Sequence, residues 1–254
     1  MKFSVVIPCH DEAGNIGPTL ESIRKTLGNA DIDYELVVVE DHCSDTTEEE
    51  ARSIGDERIR VVHNERSGGF GHAVRCGLDN FSGDAVAIMM ADSSDDPEDL
   101  LSYFRSIENG AECAFGSRFI KGSKVIDYPI HKLILNRMAN SFIRILFGLR
   151  FNDITNAFKA YRREVIEGCR PFLSPHFNLT VEIPLKAIVR GYSFEVLSIS
   201  WRNRSVGVSK LKIREMGSRY LFIVVYVLLE KWLTGKDYRR MTETRNEAGE
   251  INRK

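Results

Sequence analysis

Carboxylate clusters follow two apolar runs in the N-terminal half of the chain. One run ends in Glu40 and Asp41, and another, about fifty residues later, ends in Asp92 and Asp95. Apolar runs of this length are typical of buried parallel strands, and open α/β sheets bind ligands at the carboxyl ends of their strands. Carboxylate oxygens are also preferred ligands of hard divalent cations. The pattern therefore predicts a nucleotide and metal site at one edge of a sheet.

Strand-like and helix-like segments alternate around these carboxylates. Residues 16–27 carry apolar side chains near a helical period, which predicts a helix packed on a sheet. Pro8 is expected to end the first strand. The βαβ order predicts an α/β fold with a mostly parallel sheet flanked by helices. Strands are predicted over residues 3–7, 34–39, 58–62, 85–90 and 111–115.

Length and composition agree with a single enzyme domain. The chain has 254 residues, is 43% hydrophobic and has a net charge of -1, which allows a substantial core and disfavours nucleic-acid binding. Its five cysteines are scattered without metal-ligand spacing, and the first residues lack a secretory signal pattern, which indicates a cytoplasmic protein with reduced thiols. We expect one domain over residues 1–234 and a charged, flexible tail over residues 235–254.

Five ordered motifs lie along the chain. They are VIPCHDEAGNI at residues 6–16, VVVEDHCSDTT at 37–47, GSRF at 116–119, DITNAFKAYR at 153–162 and WRNRSVGVSKL at 201–211. The series resembles the inverting glycosyltransferases of family 2, which have the Rossmann-like GT-A fold. The first two motifs match the family as a whole, and the last three are similar to its dolichol-phosphate mannose synthase branch. The resemblance implies a nucleotide-sugar donor and a polyprenyl-phosphate acceptor.

The resemblance implies a nucleotide pocket around Asp41, which would accept hydrogen bonds from the base or ribose. Pro8, Glu12 and Asp45 would line the same pocket. Asp45 has an alternative role as the start of the next helix. Gly71 lies in a glycine-rich loop before a helical stretch, where backbone amides can approach a phosphate or sugar.

Asp92 is the predicted ligand of Mg2+ or Mn2+, with Ser94 and Asp95 beside it. Such a cation would neutralise the leaving diphosphate as the sugar bond breaks. The chain departs from the family here, because Met90 stands where the family has the first carboxylate of its D-A-D-x-Q motif. Alternatively, the acidic run at residues 95–99 only starts a helix.

The resemblance brings Arg118, Arg204 and Lys210 to one mouth of the site, where they would hold phosphate oxygens. Two phosphate-bearing substrates would explain these cations. Glu182 has the alternative of pairing with a basic side chain such as Arg190, and Asp153 has the alternative of orienting Arg118 or Lys210. Three residues are assigned to the sugar or the acceptor: Asp153, Glu182 and Ser209.

Two C-terminal segments, about 132–149 and 214–233, have the pattern of amphipathic helices. Each would lie on a bilayer surface, or pack against the core or a second copy in a homo-oligomer. Neither has the roughly 18 to 20 consecutive apolar residues of a membrane-spanning helix. The resemblance favours a peripheral enzyme at the cytoplasmic face of a membrane.

The resemblance, together with these features, implies inverting transfer of a hexose from a nucleotide diphosphate-sugar to a polyprenyl or dolichyl phosphate. A phosphate acceptor is already an anion near neutral pH, so the enzyme needs cations more than a general base. GDP-mannose is the favoured donor. A UDP-sugar is the alternative, because Asp41 alone does not distinguish guanine from uracil. Alternatives are a family 2 enzyme acting on a sugar hydroxyl and, given Met90, a non-catalytic nucleotide-sugar-binding protein.

Overall fold

The computed structural model describes residues 1–203, 213–234 and 237–238, with strands and helices alternating along the chain. The strands are β1 (Phe3–Cys9), β2 (Tyr34–Glu40), β3 (Ile59–His63), β4 (Ala85–Ile88), β5 (Cys113–Ser117), β6 (Lys124–Ile126), β7 (Lys159–Arg162), β8 (Phe194–Ser198) and β9 (Ser200–Arg202). The helices are α1 (Ile16–Asn29), α2 (Thr47–Ser53), α3 (Phe70–Asn80), α4 (Glu98–Glu108), α5 (Ile130–Phe147), α6 (Arg163–Gly168), α7 (Leu179–Val189) and α8 (Ile213–Leu233).

The main sheet has the order β3-β2-β1-β4-β7-β5-β8. Its first four strands are parallel, as are β5 and β8, whereas β7 runs antiparallel to both of its neighbours. The predicted α/β class with a mostly parallel sheet is confirmed. A short parallel ribbon of β6 and β9 lies apart from this sheet, and a bridge between Trp201 of β9 and Asp95 joins it to the loop that follows β4.

The expectation that Pro8 ends the first strand is wrong, because β1 continues to Cys9. The neighbouring β4 pairs with β1 only from Phe3 to Val6. Pro8 lies beyond that end and pairs with Val39 of β2. Because Pro8 lies outside the paired region, its lack of an N–H group removes no hydrogen bond between β1 and β4.

Alternation along β1 divides the apolar core between the two faces of the sheet. Val5 and Ile7 pack with Leu20 of α1 in one buried cluster, whereas Val6 packs with Val74 of α3 in the other. Successive side chains of a strand point to opposite faces, so one strand contributes to both layers. Helices on both faces hold β1, β2 and β4 in register, and their carboxyl ends meet at one edge.

The helices α5 and α8 contact each other and expose large apolar side chains. None of the described helices is both long and apolar enough to cross a bilayer. Apart from residues 237 and 238, the predicted tail lies outside the described residues. The large apolar side chains at least 45% exposed on these two helices are Ile130, Ile134, Leu135, Met138, Phe142, Ile145, Leu221, Phe222, Leu229, Trp232 and Leu233.

Candidate active site

A cavity of about 630 Å³ opens at the carboxyl ends of β1, β2 and β4. It brings together side chains from segments up to about 200 residues apart in the chain. The sequence-predicted residues that line it are Pro8, Glu12, Asp41, Asp92, Ser94, Asp95 and Arg118. Nucleotide, metal and phosphate candidates therefore share one cavity.

Asp41 lies directly after β2 and is 3% exposed. Its Oδ1 accepts a hydrogen bond of 2.7 Å from Nδ2 of Asn64, and its Oδ2 accepts one of 2.9 Å from the backbone N–H of Gly69. Three loops at the strand ends thus meet on one carboxylate. Asp41 is held in a fixed orientation as a hydrogen-bond acceptor in the cavity.

The Asp92 and Asp95 carboxylates are both nearly buried in the wall of the cavity. The backbone N–H of Ser94 donates to Oδ1 of Asp92, and that of Met90 donates to Oδ2 of Asp95. Burial, and then the nearby charge of Asp92, raise the pKa of Asp95 to about 7. Two carboxylates and the Ser94 hydroxyl form a hard oxygen set with excess negative charge, which fits Mg2+ or Mn2+.

Arg118 follows β5 and reaches the same cavity. Its Nε and Nη2 donate to the two oxygens of Asp153 at 2.8 and 2.7 Å, and Asp153 is fully buried. Burial disfavours the charge of Arg118, but the Asp153 carboxylate outweighs this effect and raises the pKa of the guanidinium above its usual range. The planar fork is therefore fixed in orientation and stays charged.

Further cations and aromatic rings line the cavity beside Arg118. Lys132 of α5 and Arg219 of α8 are among the lining residues, as are Tyr128 and Trp201. The two rings lie 4.8 Å apart between centroids, and the Arg118 guanidinium carbon lies 5.5 Å from the Tyr128 ring. Lys132 and Arg219 were not predicted as site residues, because charged residues on an amphipathic helix are normally assigned to its solvent-exposed face.

A family model described as "Glycosyl transferase family 2" matches residues 4–170. This chain is a family 2 glycosyltransferase. It is 32% identical over 215 residues to the polyprenol monophosphomannose synthase of Mycolicibacterium smegmatis, a match that covers 82% of this chain and 80% of that protein. It is 33% identical over 218 residues to the dolichol-phosphate mannosyltransferase of Pyrococcus furiosus, covering 84% of this chain and 60% of that longer protein.

Solved structures resemble the glycosyltransferase in fold. Glucosyl-3-phosphoglycerate synthase from Mycobacterium tuberculosis, in complex with Mn2+, uridine-diphosphate and phosphoglyceric acid, superposes with a TM-score of 0.70 at 20% identity. The match covers 91% of this chain and 78% of that one. The same synthase has also been solved with Mg2+ and uridine-diphosphate, at a TM-score of 0.68. The predicted GT-A fold is confirmed.

Two predicted nucleotide contacts of the glycosyltransferase lie outside the cavity lining. Asp45 is exposed, and its carboxylate accepts the backbone N–H groups of Ala13 and Thr47, which is the alternative role at the start of α2. Gly71 is buried against the backbone at Ser174, where an added Cβ would come within 2.5 Å of a carbonyl oxygen. Close packing explains this glycine, and its neighbours at 68–70 line the cavity instead.

Glu182 forms a buried ion pair. It is fully buried, and its carboxylate accepts from Nζ of Lys186 at 2.7 Å and from the backbone N–H groups of Leu173 and Ser174. This is the alternative role, a pair with a basic side chain, and Glu182 is not among the residues that line the cavity. Asp153, also assigned to the sugar or acceptor, is fully buried and orients Arg118.

The other predicted phosphate and acceptor residues, Arg204, Ser209 and Lys210, lie outside the described residues. A further cluster of candidate metal ligands in the described part of the chain consists of Asp11 and Cys43 together with Asp45. Oδ1 of Asp11 accepts the backbone N–H of Ser44, and the Cys43 thiol donates to the carbonyl of Cys9. These contacts hold adjacent loops together and explain the cluster without an ion.

Proposed function

We propose that this glycosyltransferase transfers a mannosyl group from a nucleotide diphosphate-mannose to a polyprenyl phosphate with inversion. The observation that carries the proposal is the position of three cations, Arg118, Lys132 and Arg219, in the cavity that also contains Asp41 and the paired carboxylates. Two anionic substrates that meet in one cavity require such a set. The names of the two curated relatives, which specify mannose and a polyprenol or dolichol phosphate, support the same reaction.

The proposed reaction needs little proton transfer. An oxygen of the acceptor phosphate attacks the anomeric carbon, and the bond from that carbon to the donor diphosphate breaks on the opposite face. The nucleoside diphosphate leaves with the bonding electrons. Because the acceptor phosphate is already an anion, the chain supplies orientation and charge rather than a base. Arg118, fixed by Asp153, would hold phosphate oxygens without reorganising during the reaction.

A divalent cation fits beside the leaving group. Asp92, Ser94 and Asp95 would hold it, and it would neutralise the charge that develops on the leaving diphosphate. Mg2+ is commonly bound by one or two carboxylates together with substrate phosphates and water, so the absence of the family's first carboxylate at Met90 is compatible with binding. A cation held there would also favour ionised Asp95, offsetting the burial that raises its pKa to about 7.

The two exposed helices are the proposed contact with the membrane. Lys132 and Arg219 lie on α5 and α8, the same helices that expose Ile145 (83%) and Phe222 (61%). An apolar face at the bilayer with cations beside it would place the mouth of the cavity at headgroup depth. This arrangement lets a lipid phosphate enter without leaving its membrane. We assign the enzyme to the cytoplasmic face of the membrane as a peripheral protein. The alternative is that the two helices form an interface between two copies of the chain.

The test is a transfer assay that combines GDP-mannose, UDP-glucose or UDP-N-acetylglucosamine with undecaprenyl or dolichyl phosphate, in Mg2+, Mn2+ or chelator. Mass spectrometry of the lipid fraction identifies the product. We expect a metal-dependent mannosyl phospholipid from GDP-mannose. Dolichol, which has the same chain without phosphate, is the matched acceptor control and should give none. Donor binding without any glycosylated phospholipid would overturn the proposal.

A second candidate function is transfer to a sugar hydroxyl, which needs a carboxylate base near the acceptor. Asp153 and Glu182 are both held in ion pairs, with Arg118 and Lys186. Asp95 remains, and its pKa, raised to about 7, suits a general base. Product formed on the sugar hydroxyl of a glycan, but not on a lipid phosphate, would favour this candidate.

A further inference from the structure

Asn64 contacts the carboxylate that is predicted to recognise the base. It follows β3 directly, as Asp41 follows β2, and these two parallel strands are neighbours. Nδ2 of Asn64 donates a hydrogen bond of 2.7 Å to Oδ1 of Asp41, and both residues are 3% exposed. A buried bond between an amide and a carboxylate therefore lies at the wall of the donor cavity.

The contacts of Asn64 determine which way its amide points. Its Oδ1 accepts the backbone N–H of Arg66 at 3.1 Å, so the amide nitrogen must be the atom that faces Asp41. Its own backbone N–H donates to the carbonyl of Glu40 at 2.9 Å, at the last residue of β2. Asn64 is thus fixed at both ends, and it can fix the carboxylate in turn.

The same contacts define what Asp41 can offer a ligand. Asn64 occupies one position on Oδ1, and the backbone N–H of Gly69 occupies one on Oδ2. Each carboxylate oxygen has about two acceptor positions, so one remains on each oxygen. Asp41 lines the cavity, where it presents two adjacent acceptors in a defined plane.

We infer that Asn64 is a positioning residue that holds Asp41 for a base with two adjacent N–H donors, and so favours guanine over uracil in the donor. Guanine carries N1–H and N2–H side by side on one edge, which matches a carboxylate held in plane. Uracil carries one N3–H between two carbonyls, and those carbonyls would lie against the carboxylate. The inference rests on the proposed function and deepens it by naming the base.

Calorimetric binding of GDP and UDP to the full chain in Mn2+ tests the inference without any lipid. A charge-assisted hydrogen bond is worth roughly 10- to 100-fold in affinity, so Asn64→Ala should lose about that factor for GDP and less for UDP. Asn80→Ala is the matched control, since Asn80 donates to the carbonyl of Cys76 within α3. It should bind both nucleotides as the parent does. Unchanged GDP affinity in Asn64→Ala, or an equal loss for both nucleotides, would overturn the inference.

Asn64→Asp keeps the shape of the side chain and replaces the donor by a second carboxylate. At low pH one proton shared by the facing carboxylates can take the place of the amide N–H, whereas at high pH both ionise and repel. We expect its GDP affinity to fall at least about tenfold from about pH 5.5 to about pH 8, relative to the parent. The titratable groups around this site are the same in both proteins, so the comparison isolates position 64. They are His10, Glu12, His42, Arg66, Cys76 and His176.

A parallel pH profile for the Asn64→Asp variant and the parent would contradict the inference, because a purely structural role for Asn64 predicts a constant difference. The proposed function fails separately. If the parent binds neither nucleotide, both the proposed function and the role of Asn64 are wrong. If GDP binds tightly and substitutions at position 64 do not change its affinity, only the role of Asn64 is wrong. Melting temperatures of all variants identify any that fail to fold.

Discussion

The proposed donor side of the cavity, with Asp41, Asn64 and Asp92, rests on the ends of neighbouring strands, whereas the proposed acceptor side is assembled from distant segments. On the donor side, β1, β2, β3 and β4 are parallel neighbours, so residues that follow them meet without further packing. On the acceptor side, Arg118 depends on Asp153, 35 residues later, and the other cations come from α5 and α8. The first arrangement is local to a rigid sheet edge, and the second depends on tertiary packing.

This difference fits the separate tasks proposed for the two sides. The donor side is buried and hydrogen-bonded, which suits recognition of one nucleotide in a fixed pose. The acceptor side lies beside helices that expose apolar side chains, which suits a long lipid whose phosphate alone must be placed accurately. Breaking each side should therefore produce different kinetic signatures.

The largest expected effect is on the leaving group. Asp92→Asn removes one of two carboxylates proposed to hold the cation, and stabilisation of developing charge is worth about 100- to 1,000-fold in turnover. We expect kcat to fall by that factor, with donor affinity changed far less. Asp96→Asn, in the same loop and outside the 630 Å³ cavity, is the control and should retain most activity. An equal loss in both variants would refute the role of Asp92.

The framework of the donor side should show a distinct acid sensitivity. Glu35 of β2 is 4% exposed; burial raises its pKa, but hydrogen bonds from Ser82 and Ser4 and the charge of Arg60 lower it to about 2. A folded-state pKa below the unfolded one stabilises the fold above about pH 4.5, and this stability is lost as pH falls from about 4.5 to about 2. The contribution is on the order of 3 kcal/mol.

Denaturant unfolding at several pH values checks this prediction. Glu35→Gln should flatten the fall in the free energy of unfolding between about pH 4.5 and about pH 2. Glu49→Gln, at an exposed position of α2, serves as the control and should keep the full slope. If Glu35→Gln keeps that slope as well, another carboxyl must carry the acid sensitivity.

The acceptor side can be weakened without removing its charge. Arg118→Lys keeps a cation but cannot form the two parallel bonds to Asp153, so the charge is no longer fixed in the cavity. We expect roughly a 10- to 100-fold loss in kcat/KM for the lipid phosphate, and little change in GDP affinity. Competition binding of GDP measured alongside turnover separates the two sides. A comparable loss of GDP binding would show that Arg118 belongs to the donor side.

Sequence patterns predicted the donor side better than the acceptor side for a physical reason. Asp41, Asp92 and Asp95 follow apolar runs, and parallel strands bring such ends together. Asn64 follows a strand in the same way, so its position alone could have marked it. The antiparallel β7 was not predicted, because the direction of a strand depends on how its connection packs. For Glu182, its spacing of four residues from Lys186 was the available signal for a helical ion pair.

The smallest expected effect concerns the membrane. Ile145 is 83% exposed on α5, and transfer of such a side chain into an apolar environment is worth about 1.5 to 3 kcal/mol when fully buried. Ile145→Ser should therefore weaken binding to anionic lipid vesicles by about tenfold, while turnover of a water-soluble short-chain polyprenyl phosphate stays near that of the parent. Leu173→Ser changes another exposed apolar side chain, 40% exposed and outside these helices, and should leave vesicle binding intact. Equal vesicle binding by both variants would instead point to contact between two copies, which sedimentation of the Ile145→Ser variant would reveal as dissociation.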